Sequence, residues 1–282
     1  MPELPEVETV RRGIVDKVLG RRIESVQVGR ERSVRRVGRE AVVAGLTGAT
    51  ILTARRHGKY LLFDLDTGEA MMIHLRMSGR VLVSGAGAER PAHTHVVLGL
   101  SARGGRAEEM WFVDPRTFGE VVVYDPDRVD EVLPELARLG PDPINGPFDA
   151  AILRERLGGR RGAVKPALLD QRVVAGIGNI YADEVLHRCR LRHDRVPATF
   201  SKRTFDTMAA VIVEVLGAAI EAGGSTLDDT QYVDVEGHGG SFQDFHLVYG
   251  REGLPCLTCG KSSIRRVMVG GRSTAYCPRC QR

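Results

Sequence analysis

The sequence has no run of apolar residues long enough to cross a bilayer, because no stretch of about 18 or more such residues occurs in its 282 positions. It also lacks a basic amino-terminal segment followed by an apolar run, so we expect neither a membrane anchor nor an export signal. We find no internal repeats, which argues against a solenoid or propeller architecture.

Cysteine is scarce, and its placement is informative. Cys189 stands alone and is expected to be a small buried residue. The other four form the spacing C-x2-C-x17-C-x2-C at Cys256, Cys259, Cys277 and Cys280. Two close pairs separated by about 15–20 residues are typical of a zinc site. Two disulfides are the alternative, but they need an oxidising compartment, of which the sequence gives no sign. We therefore predict one structural Zn²⁺.

The net charge is only +4, yet the basic residues are clustered. Residues 11–39 hold ten Lys and Arg against three acids, and residues 251–282 hold seven against one. Two such clusters on a nearly balanced background indicate contact with a polyanion. Two solvated basic surfaces would give the same pattern, and charge alone does not separate the two interpretations.

The pattern of apolar residues predicts an α+β fold. A leading helix with Val7, Val10, Ile14 and Val18 on one face precedes eight short β-rich segments, which indicates an antiparallel β-sandwich. After Tyr124 the pattern becomes helical, and a β-hairpin with the zinc cysteines ends the chain. We expect a catalytic β-domain, a linker, a helical domain and a zinc module at residues 1–134, 135–150, 151–246 and 247–282.

The opening "MPELPEVET" places a proline directly behind Met1. Removal of Met1 would expose a secondary amine on Pro2. The pKa of an α-amino group is about 7.7–8.0, against about 10.4 for Lys, so much more of it is neutral near pH 7. Its adduct with an aldehyde carbon is an iminium, an electron sink for elimination. Alternatively, Pro2 is only a first-turn helix proline beside helix-favouring Glu residues.

Two further stretches carry candidate functional groups. "RRHGKYLLF" places Lys59 before an apolar strand, where it either keeps its ammonium group in solvent or acts as a second amine or acid. "GIGNIYADEV" is a glycine-rich turn that leads into a helix, and Asn179 adds a side-chain donor there. Such a turn either binds an anion or merely joins two helices.

Two predicted loops carry large side chains. "MMIHLRMSGR" places His74 and Arg76 in alternation on one strand face, with Met77 near a loop tip. "FVDPRTFGE" carries Arg116 and Phe118 in a turn. Exposed Met, Arg and Phe on loops suit a wedge that fills a gap in a base stack, whereas core packing is the ordinary alternative for Met and Phe.

Taken together, these features resemble the formamidopyrimidine-DNA glycosylase family, the MutM-type bacterial enzymes. The motifs that carry the resemblance occur in matching order along almost the whole chain: "MPELPEVETVRRGI", "HGKYLLF", "HLRMSGR", "DPRTFGE", "GIGNIYADEVL", "VYGREGLPC" and "GRSTAYCPRCQ". The resemblance implies an N-terminal β-sandwich, a helix–two-turn–helix domain and a zinc-bound hairpin.

The resemblance also implies roles for individual residues. Pro2 would be the Schiff-base nucleophile, Glu3 the acid that helps to open the sugar, and Lys59 and Arg272 the residues of β- and δ-elimination. Met77, Arg116 and Phe118 would intercalate, and the Gly-rich segment 223–245 would cap the lesion. The implied DNA contacts are His93, Arg116, Arg161, Asn179, His74, Met77 and Phe118, and Lys165 is also expected near DNA.

The implied activity is excision of oxidised purines, such as 8-oxoguanine and formamidopyrimidines, from double-stranded DNA, followed by strand cleavage on both sides of the sugar. We expect a monomer in the bacterial cytoplasm, associated with the nucleoid. Three alternatives compete with this interpretation: an endonuclease VIII-type enzyme for oxidised pyrimidines, a non-catalytic zinc-dependent DNA-binding protein, and an amino-terminal-proline tautomerase.

Overall fold

The structure, a computed structural model, describes residues 1–227 and 232–282. The chain forms two compact units, one of Met1–Arg138 with Gly223–Gly240 and one of Leu139–Ala222 with Ser241–Arg282. The segment Gly223–Gly240 thus belongs with the amino-terminal unit. No change in composition along the sequence indicates that the chain returns to this unit. The four-part division into catalytic domain, linker, helical domain and zinc module stays a prediction.

The first unit contains two four-stranded antiparallel sheets, with strand orders β1-β6-β7-β5 and β2-β3-β4-β8. All eight predicted strands are present, and the predicted fold class is confirmed. Its elements are α1 (Leu4–Val18), β1 (Ile23–Val28), α2 (Gly38–Leu46), β2 (Ile51–His57), β3 (Tyr60–Leu65), β4 (Ala70–His74), β5 (Arg80–Gly85), β6 (Thr94–Arg103), β7 (Arg106–Val113), β8 (Glu120–Tyr124), α3 (Val129–Val132) and α4 (Pro134–Ala137).

The apolar face of α1 anchors the amino terminus to the sandwich. Val7, Val10, Ile14 and Val18 are fully buried, and the helix packs against β2 and β3. Complete burial of such a side chain contributes about 1.5–3 kcal/mol, so this face fixes the helix firmly. The chain leaves the helix through Gly20, whose φ of 70° is one that glycine adopts readily.

The helix α2 is absent from the sequence-based prediction. Its segment GREAVVAGL begins with glycine and shows only a short periodic pattern. Val42 and Leu46 lie one turn apart, are fully buried, and pack the helix toward β1 and β8. Two apolar positions are too few for a reliable periodicity, so tertiary packing decides this element.

The second unit is helical and ends in a β-hairpin. Ser201 Oγ accepts a hydrogen bond from Thr204 N at 3.2 Å and so caps the start of the helix Lys202–Glu221. No helix among the described residues of either unit is long and apolar enough to span a membrane. The elements of the second unit are α5 (Ala150–Leu157), α6 (Val164–Leu169), α7 (Asn179–Arg188), α8 (Lys202–Glu221), β9 (Arg265–Val269) and β10 (Arg272–Tyr276).

The stretch PALLDQRVV at residues 166–174 has the sequence pattern of a single helix, but α6 ends at Leu169. The side chain of Gln171 there forms hydrogen bonds with backbone groups that would otherwise bond to other backbone groups. Its amide nitrogen donates to Leu169 O at 3.0 Å and to Ile177 O at 2.8 Å, and its Oε1 accepts from Gly176 N at 2.9 Å. Gly176 has a φ of 95°. These contacts fold residues 170–178 into consecutive turns between two helices.

The predicted lesion-capping segment, residues 223–245, includes residues 228–231, which lie outside the described residues. Of the described part, Tyr232 and Val235 are buried in the core of the first unit. A Cβ on Gly13 would lie 2.7 Å from Val235 Cγ2, so the glycine in α1 makes room for this side chain. Residues 232–235 are therefore held against α1 by apolar packing.

Candidate functional site

The amino terminus is buried at the start of α1. Pro2 and Glu3 are both buried, and Glu3 is the N-cap of the helix. Glu3 N donates to Glu6 Oε2 at 2.7 Å, which closes a capping box. The first-turn proline of the helix is Pro5, so Pro2 lies outside the helix and the interpretation of Pro2 as a helix-starting proline is wrong.

Glu6 joins the amino terminus to the segment that returns from the second unit. Its Oε1 accepts a hydrogen bond from Ser225 N at 2.8 Å, and its carbonyl oxygen lies 3.3 Å from the hydroxyl of Tyr232. Gly224 has a φ of 80°, and a Cβ there would lie 2.8 Å from Glu6 Oε1. A buried carboxylate and an obligatory glycine thus fix this segment beside Pro2 and Glu3.

Lys59 lies in the two-residue turn between β2 and β3, and 5% of its surface is exposed. The turn is fixed by Arg56, whose Nη1 donates to Gly58 O at 3.0 Å. Arg56 Nε also lies 3.0 Å from Glu8 Oε2 of α1, and both side chains are buried. This ion pair ties the turn that carries Lys59 to the helix that begins beside Pro2.

Glu8 is ionised in this cluster. Burial by itself raises the pKa of its carboxyl group, but hydrogen bonds and charge from Arg11, together with the charge of Arg56, outweigh burial and hold the pKa below its usual value. The result is a fixed negative charge two turns from the amino terminus that balances two arginines.

The predicted wedge residues are exposed on two loops. Met77 lies between β4 and β5 and is 40% exposed, and Phe118 lies between β7 and β8 and is 39% exposed. Core packing, the alternative for both, is therefore wrong. Arg116 is exposed as well, with its guanidinium carbon 5.1 Å from the centre of the Phe118 ring, a cation–π contact. We refer to Met77, Arg116 and Phe118 as the wedge.

His74 and Arg76 do not alternate on one strand face as predicted. His74 is the last residue of β4, and Arg76 lies in the following loop with a φ of 54°. The buried imidazole of His74 accepts from Arg76 N at 2.9 Å and lies edge-on to the Tyr60 ring, with ring centres 4.4 Å apart. Burial and the charge of Arg76 lower the pKa of His74 to about 3, so its ring is neutral.

The second unit presents a helix start suited to an anion. Asn179 is the first residue of α7, and its Oδ1 is buried without a hydrogen bond from any residue that the structure describes. The preceding Gly178 is extended and provides no side-chain cap for the helix. Arg161 is exposed between α5 and α6.

Lys165 is fully buried, so the expectation that its side chain approaches DNA is wrong for this structure. Its Nζ lies 2.7 Å from Asp183 Oδ1 and donates to Ser273 O at 2.8 Å. Asp183 in turn accepts from Ala275 N at 2.9 Å. The buried pair therefore holds strand β10 at the residues that follow Arg272, which is exposed at the start of that strand.

The four zinc-pattern cysteines converge. Their Sγ atoms all lie within 4.8 Å of one another, and two of the pairs, Cys256 with Cys280 and Cys259 with Cys277, are both 3.8 Å apart. A tetrahedral Zn²⁺ with Zn–S bonds of about 2.3 Å requires sulfur separations of about 3.8 Å, whereas a disulfide requires about 2.05 Å. The four thiols therefore fit one Zn²⁺, and the prediction of a zinc site is confirmed.

Two buried side chains that the sequence analysis missed connect α7 to the zinc module. His187 lies 2.7 Å from Thr258 Oγ1 and 3.1 Å from Gln281 Oε1, which also accepts from Cys277 N. Glu184 accepts hydrogen bonds from the consecutive N–H groups of residues 247–249 at about 3 Å. Both lie in "IYADEVLHR", where their helical spacing alone does not distinguish them from surface residues.

The predicted site residues therefore fall into two groups. The first unit brings Pro2, Glu3 and Lys59 onto connected elements and carries the wedge, His74 and His93. His93 is exposed, with a φ of 66°. The second unit carries Arg161, Asn179, Arg272 and the zinc cysteines.

Comparison with known proteins identifies the family. Three domain models match the chain: Formamidopyrimidine-DNA glycosylase N-terminal domain at residues 1–121, Formamidopyrimidine-DNA glycosylase H2TH domain at residues 139–231, and Zinc finger found in FPG and IleRS at residues 253–282. The chain is 46% identical to the Formamidopyrimidine-DNA glycosylase of Cereibacter sphaeroides and 42% identical to that of Desulfitobacterium hafniense, with 100% of both chains covered in each case.

Solved structures give the same result. A Lactococcus lactis FPG mutant in complex with Fapy-dG-containing DNA superposes with a TM-score of 0.89 at 34% identity over 100% of both chains. The L. lactis Fpg in complex with abasic-site DNA gives 0.87 at 34% identity over 99% of each. The resemblance of the motifs is confirmed, and the chain belongs to the formamidopyrimidine-DNA glycosylase family.

Proposed function

We propose that this DNA glycosylase excises oxidised purines, including 8-oxoguanine and formamidopyrimidines, from double-stranded DNA and then cleaves the strand by β,δ-elimination. The observation that carries the proposal is the position of Pro2, which lies outside α1 and is buried beside Glu3. The enzyme acts as a monomer in the bacterial cytoplasm, in association with the nucleoid.

Pro2 is the nucleophile once Met1 has been removed. Its nitrogen attacks C1′ of the deoxyribose, the glycosidic bond breaks, and the base leaves with the electron pair and takes up a proton. Glu3 gives a proton to O4′ as the bond between C1′ and O4′ breaks, which leaves an iminium between Pro2 and C1′.

The iminium then draws electrons from the sugar. Loss of a proton from C2′ expels the 3′ phosphate, and loss of a proton from C4′ expels the 5′ phosphate. Lys59 supplies proton transfer in the first elimination, which fits its buried position on the turn that Arg56 ties to α1. Arg272 serves the second elimination from the exposed start of β10.

The wedge enables access to the damaged base. A base inside a duplex cannot reach the amine, so the nucleotide must leave the stack at a cost of a few kcal/mol. Met77 and Phe118 fill the vacated space, and Arg116 faces the orphan cytosine. The segment that Glu6 fixes at Ser225 caps the everted base. 8-Oxoguanine carries a hydrogen on N7 that guanine lacks, and this donor is the feature that best distinguishes the damaged base from guanine.

Contacts with phosphates position the duplex. The start of α7 with Asn179 binds one phosphate, and the exposed Arg161 and His93 bind others. His74 acts indirectly, because its buried imidazole holds the backbone of Arg76. The Zn²⁺ supplies no chemistry here and stabilises the hairpin that carries Arg272.

Borohydride reduction of the enzyme mixed with an 8-oxoguanine:C duplex tests the proposal. We expect a covalent complex whose crosslink mass spectrometry places on Pro2. The matched control is the same enzyme with Met1 retained, which should form no crosslink on Pro2 because its Pro2 nitrogen is an amide. A crosslink on Lys59 or any other residue would refute the assignment of the nucleophile, and the absence of any crosslink would refute the covalent mechanism.

A thymine-glycol duplex tests the assignment of the substrate class. The endonuclease VIII-type alternative predicts faster cleavage of this oxidised pyrimidine than of 8-oxoguanine:C. The proposal predicts the reverse order, because the wedge and the "ELPEVET" opening resemble those of the purine enzymes. Single-turnover rates with both duplexes at one salt concentration decide between them.

A further inference from the structure

The wedge residues belong to two separate loops, each under backbone strain. Residues 75–79 join β4 to β5 and carry Met77, and residues 114–119 join β7 to β8 and carry Arg116 and Phe118. Arg76 in the first loop has a φ of 54°, and Thr117 in the second has a φ of 56°. Such values are uncommon for side chains other than glycine and exceptional for a β-branched residue. They persist only where neighbouring contacts hold the loop.

One buried carboxylate, that of Asp114, connects the two loops. Its Oδ1 accepts hydrogen bonds from the hydroxyl of Ser78 and from Arg116 N, the latter at 3.3 Å, and its Oδ2 accepts from Gly119 N at 2.7 Å. Ser78 Oγ also accepts from Arg116 N at 3.2 Å. The residue that follows Met77 is therefore bonded to the backbone of Arg116 and to the carboxylate that closes the second loop.

Asp114 also fixes the loop that carries His93. Asp114 N donates to His93 O at 3.0 Å, and His95 Nε2 donates to Asp114 O at 2.9 Å. A Cβ on Gly119 would lie 2.6 Å from Phe112 Cζ and 2.8 Å from His74 O, so the end of the second loop has no room to shift. Three loops with proposed DNA contacts thus meet at a single residue.

The carboxylate of Asp114 is costly for the fold alone. It is fully buried, and no ion pair among the residues that the structure describes includes it. A buried carboxylate without a cation loses much of its hydration energy, and hydrogen bonds from N–H and O–H groups recover only part of it. The hydrogen bonds that this carboxylate accepts come from both loops, so its clearest role is to fix the two loops relative to each other.

We propose that Ser78 and Asp114 are positioning residues that hold Met77, Arg116 and Phe118 as one preassembled wedge and so promote eversion of the damaged base. This inference rests on the proposed function. A preassembled wedge loses little conformational freedom when it enters the stack, whereas each side chain that is not already fixed loses conformational entropy at that step. Elimination at a preformed abasic site needs no base to be displaced from the stack, so it depends less on the wedge.

Single-turnover rates on two substrates in the same sequence context test the inference. One duplex carries 8-oxoguanine opposite C, and the other carries a preformed abasic site opposite C. Ser78→Ala removes the hydroxyl that bridges the loops, and Asp114→Asn replaces one acceptor by a donor that opposes the N–H groups of the loop. We expect excision of 8-oxoguanine to slow by about 10-fold for Ser78→Ala and about 100-fold for Asp114→Asn, with abasic-site cleavage within about twofold of wild type.

Ser33→Ala is the matched control, because Ser33 Oγ is buried in the same unit without a hydrogen bond from any described residue. It should leave both rates unchanged. Equal slowing on both substrates by Ser78→Ala would show a general structural role and overturn the inference, as would an unchanged excision rate. Failure of the wild-type enzyme to excise 8-oxoguanine would instead refute the proposed function, so the two failures are distinguishable.

Discussion

Arg56 and Glu8 form a buried ion pair between β2 and α1, with 3.0 Å between Arg56 Nε and Glu8 Oε2. Because the same guanidinium donates to Gly58 O, the pair sets the position of the Lys59 turn relative to the helix that begins beside Pro2. The Arg56–Glu8 pair thus connects the turn of Lys59, the proposed proton donor, to the helix that follows Pro2, the proposed nucleophile.

Arg56→Met should therefore impair both stability and catalysis. Removal of one partner of a buried pair costs about 3–5 kcal/mol, and Arg11, which also binds Glu8, should keep the loss near the lower value. We expect the free energy of unfolding to fall by about 3 kcal/mol and borohydride trapping to slow by about 10-fold or more. Urea unfolding and trapping kinetics measure the two effects.

The neighbouring residue on the same strand provides the control. Arg55 is 56% exposed in its side chain and pairs with Asp64, so Arg55→Met should cost less than about 1 kcal/mol and leave trapping unchanged. Equal effects of the two substitutions would contradict the special role assigned to Arg56.

The sequence predicts the strands well because their apolar runs are short, β-rich and separated by turn residues. The sequence-based prediction fails where a side chain, rather than a backbone group, forms the hydrogen bonds of the main chain. The helix expected beyond Leu169 does not form because Gln171 bonds to both sides of the turn, and the strand expected to reach Arg76 ends at His74, whose ring accepts the Arg76 N–H. Such contacts join specific atoms and leave no periodicity in the sequence.

Charge counting also overestimates the basic surface of residues 11–39. Arg21 is almost fully buried and pairs with Glu108 of β7, and Arg36 pairs with the buried Glu120 at 2.7 Å. Burial alone would raise the pKa of Glu120, but hydrogen bonds from Arg36 and Arg76 lower it to about 2. Part of this cluster therefore balances acids inside the fold. The acids lie far away in sequence, so a local count cannot find them.

The pKa of His74 predicts how stability depends on pH. The folded protein keeps the ring neutral down to about pH 3, whereas the unfolded chain binds a proton near pH 6.5. Below about pH 6.5 the unfolded state thus binds more protons, and the free energy of unfolding falls as the pH drops. Above that pH this contribution is constant.

We expect His74→Gln to reduce this slope. The glutamine side chain cannot bind the proton in the unfolded state, so the loss of unfolding free energy between about pH 7.5 and about pH 5.5 should shrink by about 1 kcal/mol. Urea titrations of both proteins at several pH values measure the difference. Equal slopes for the two proteins would show that His74 is not held neutral.

Loss of one cysteine ligand should unfold the zinc hairpin. We expect Cys259→Ser to lose bound zinc, because structural zinc sites require four ligands and their binding energy supports the local fold. Since Arg272 lies in the hairpin, DNA affinity should weaken by more than about 10-fold, or about 1.4 kcal/mol. Atomic absorption and fluorescence anisotropy measure the two quantities. Cys189→Ala is the control, since Cys189 lies outside the cluster, and an affinity equal to wild type in Cys259→Ser would contradict the role of the metal.

The pair of Lys165 and Asp183 should matter more for the second elimination than for the first. Lys165→Met leaves Asp183 buried without its cation and removes the hydrogen bond to Ser273 O, so we expect a loss of about 3–5 kcal/mol in unfolding free energy. Because Ser273 follows Arg272, the product of β-elimination alone should accumulate relative to the β,δ product on a sequencing gel.

The double substitution Lys165→Met with Asp183→Asn separates the two effects. It removes the uncompensated charge but keeps a side-chain oxygen that can accept from Ala275 N, so stability should largely return. The hydrogen bond to Ser273 O stays absent, so the excess of β-elimination product should persist. Recovery of both stability and product ratio would show that the pair supports the fold alone and does not position Arg272.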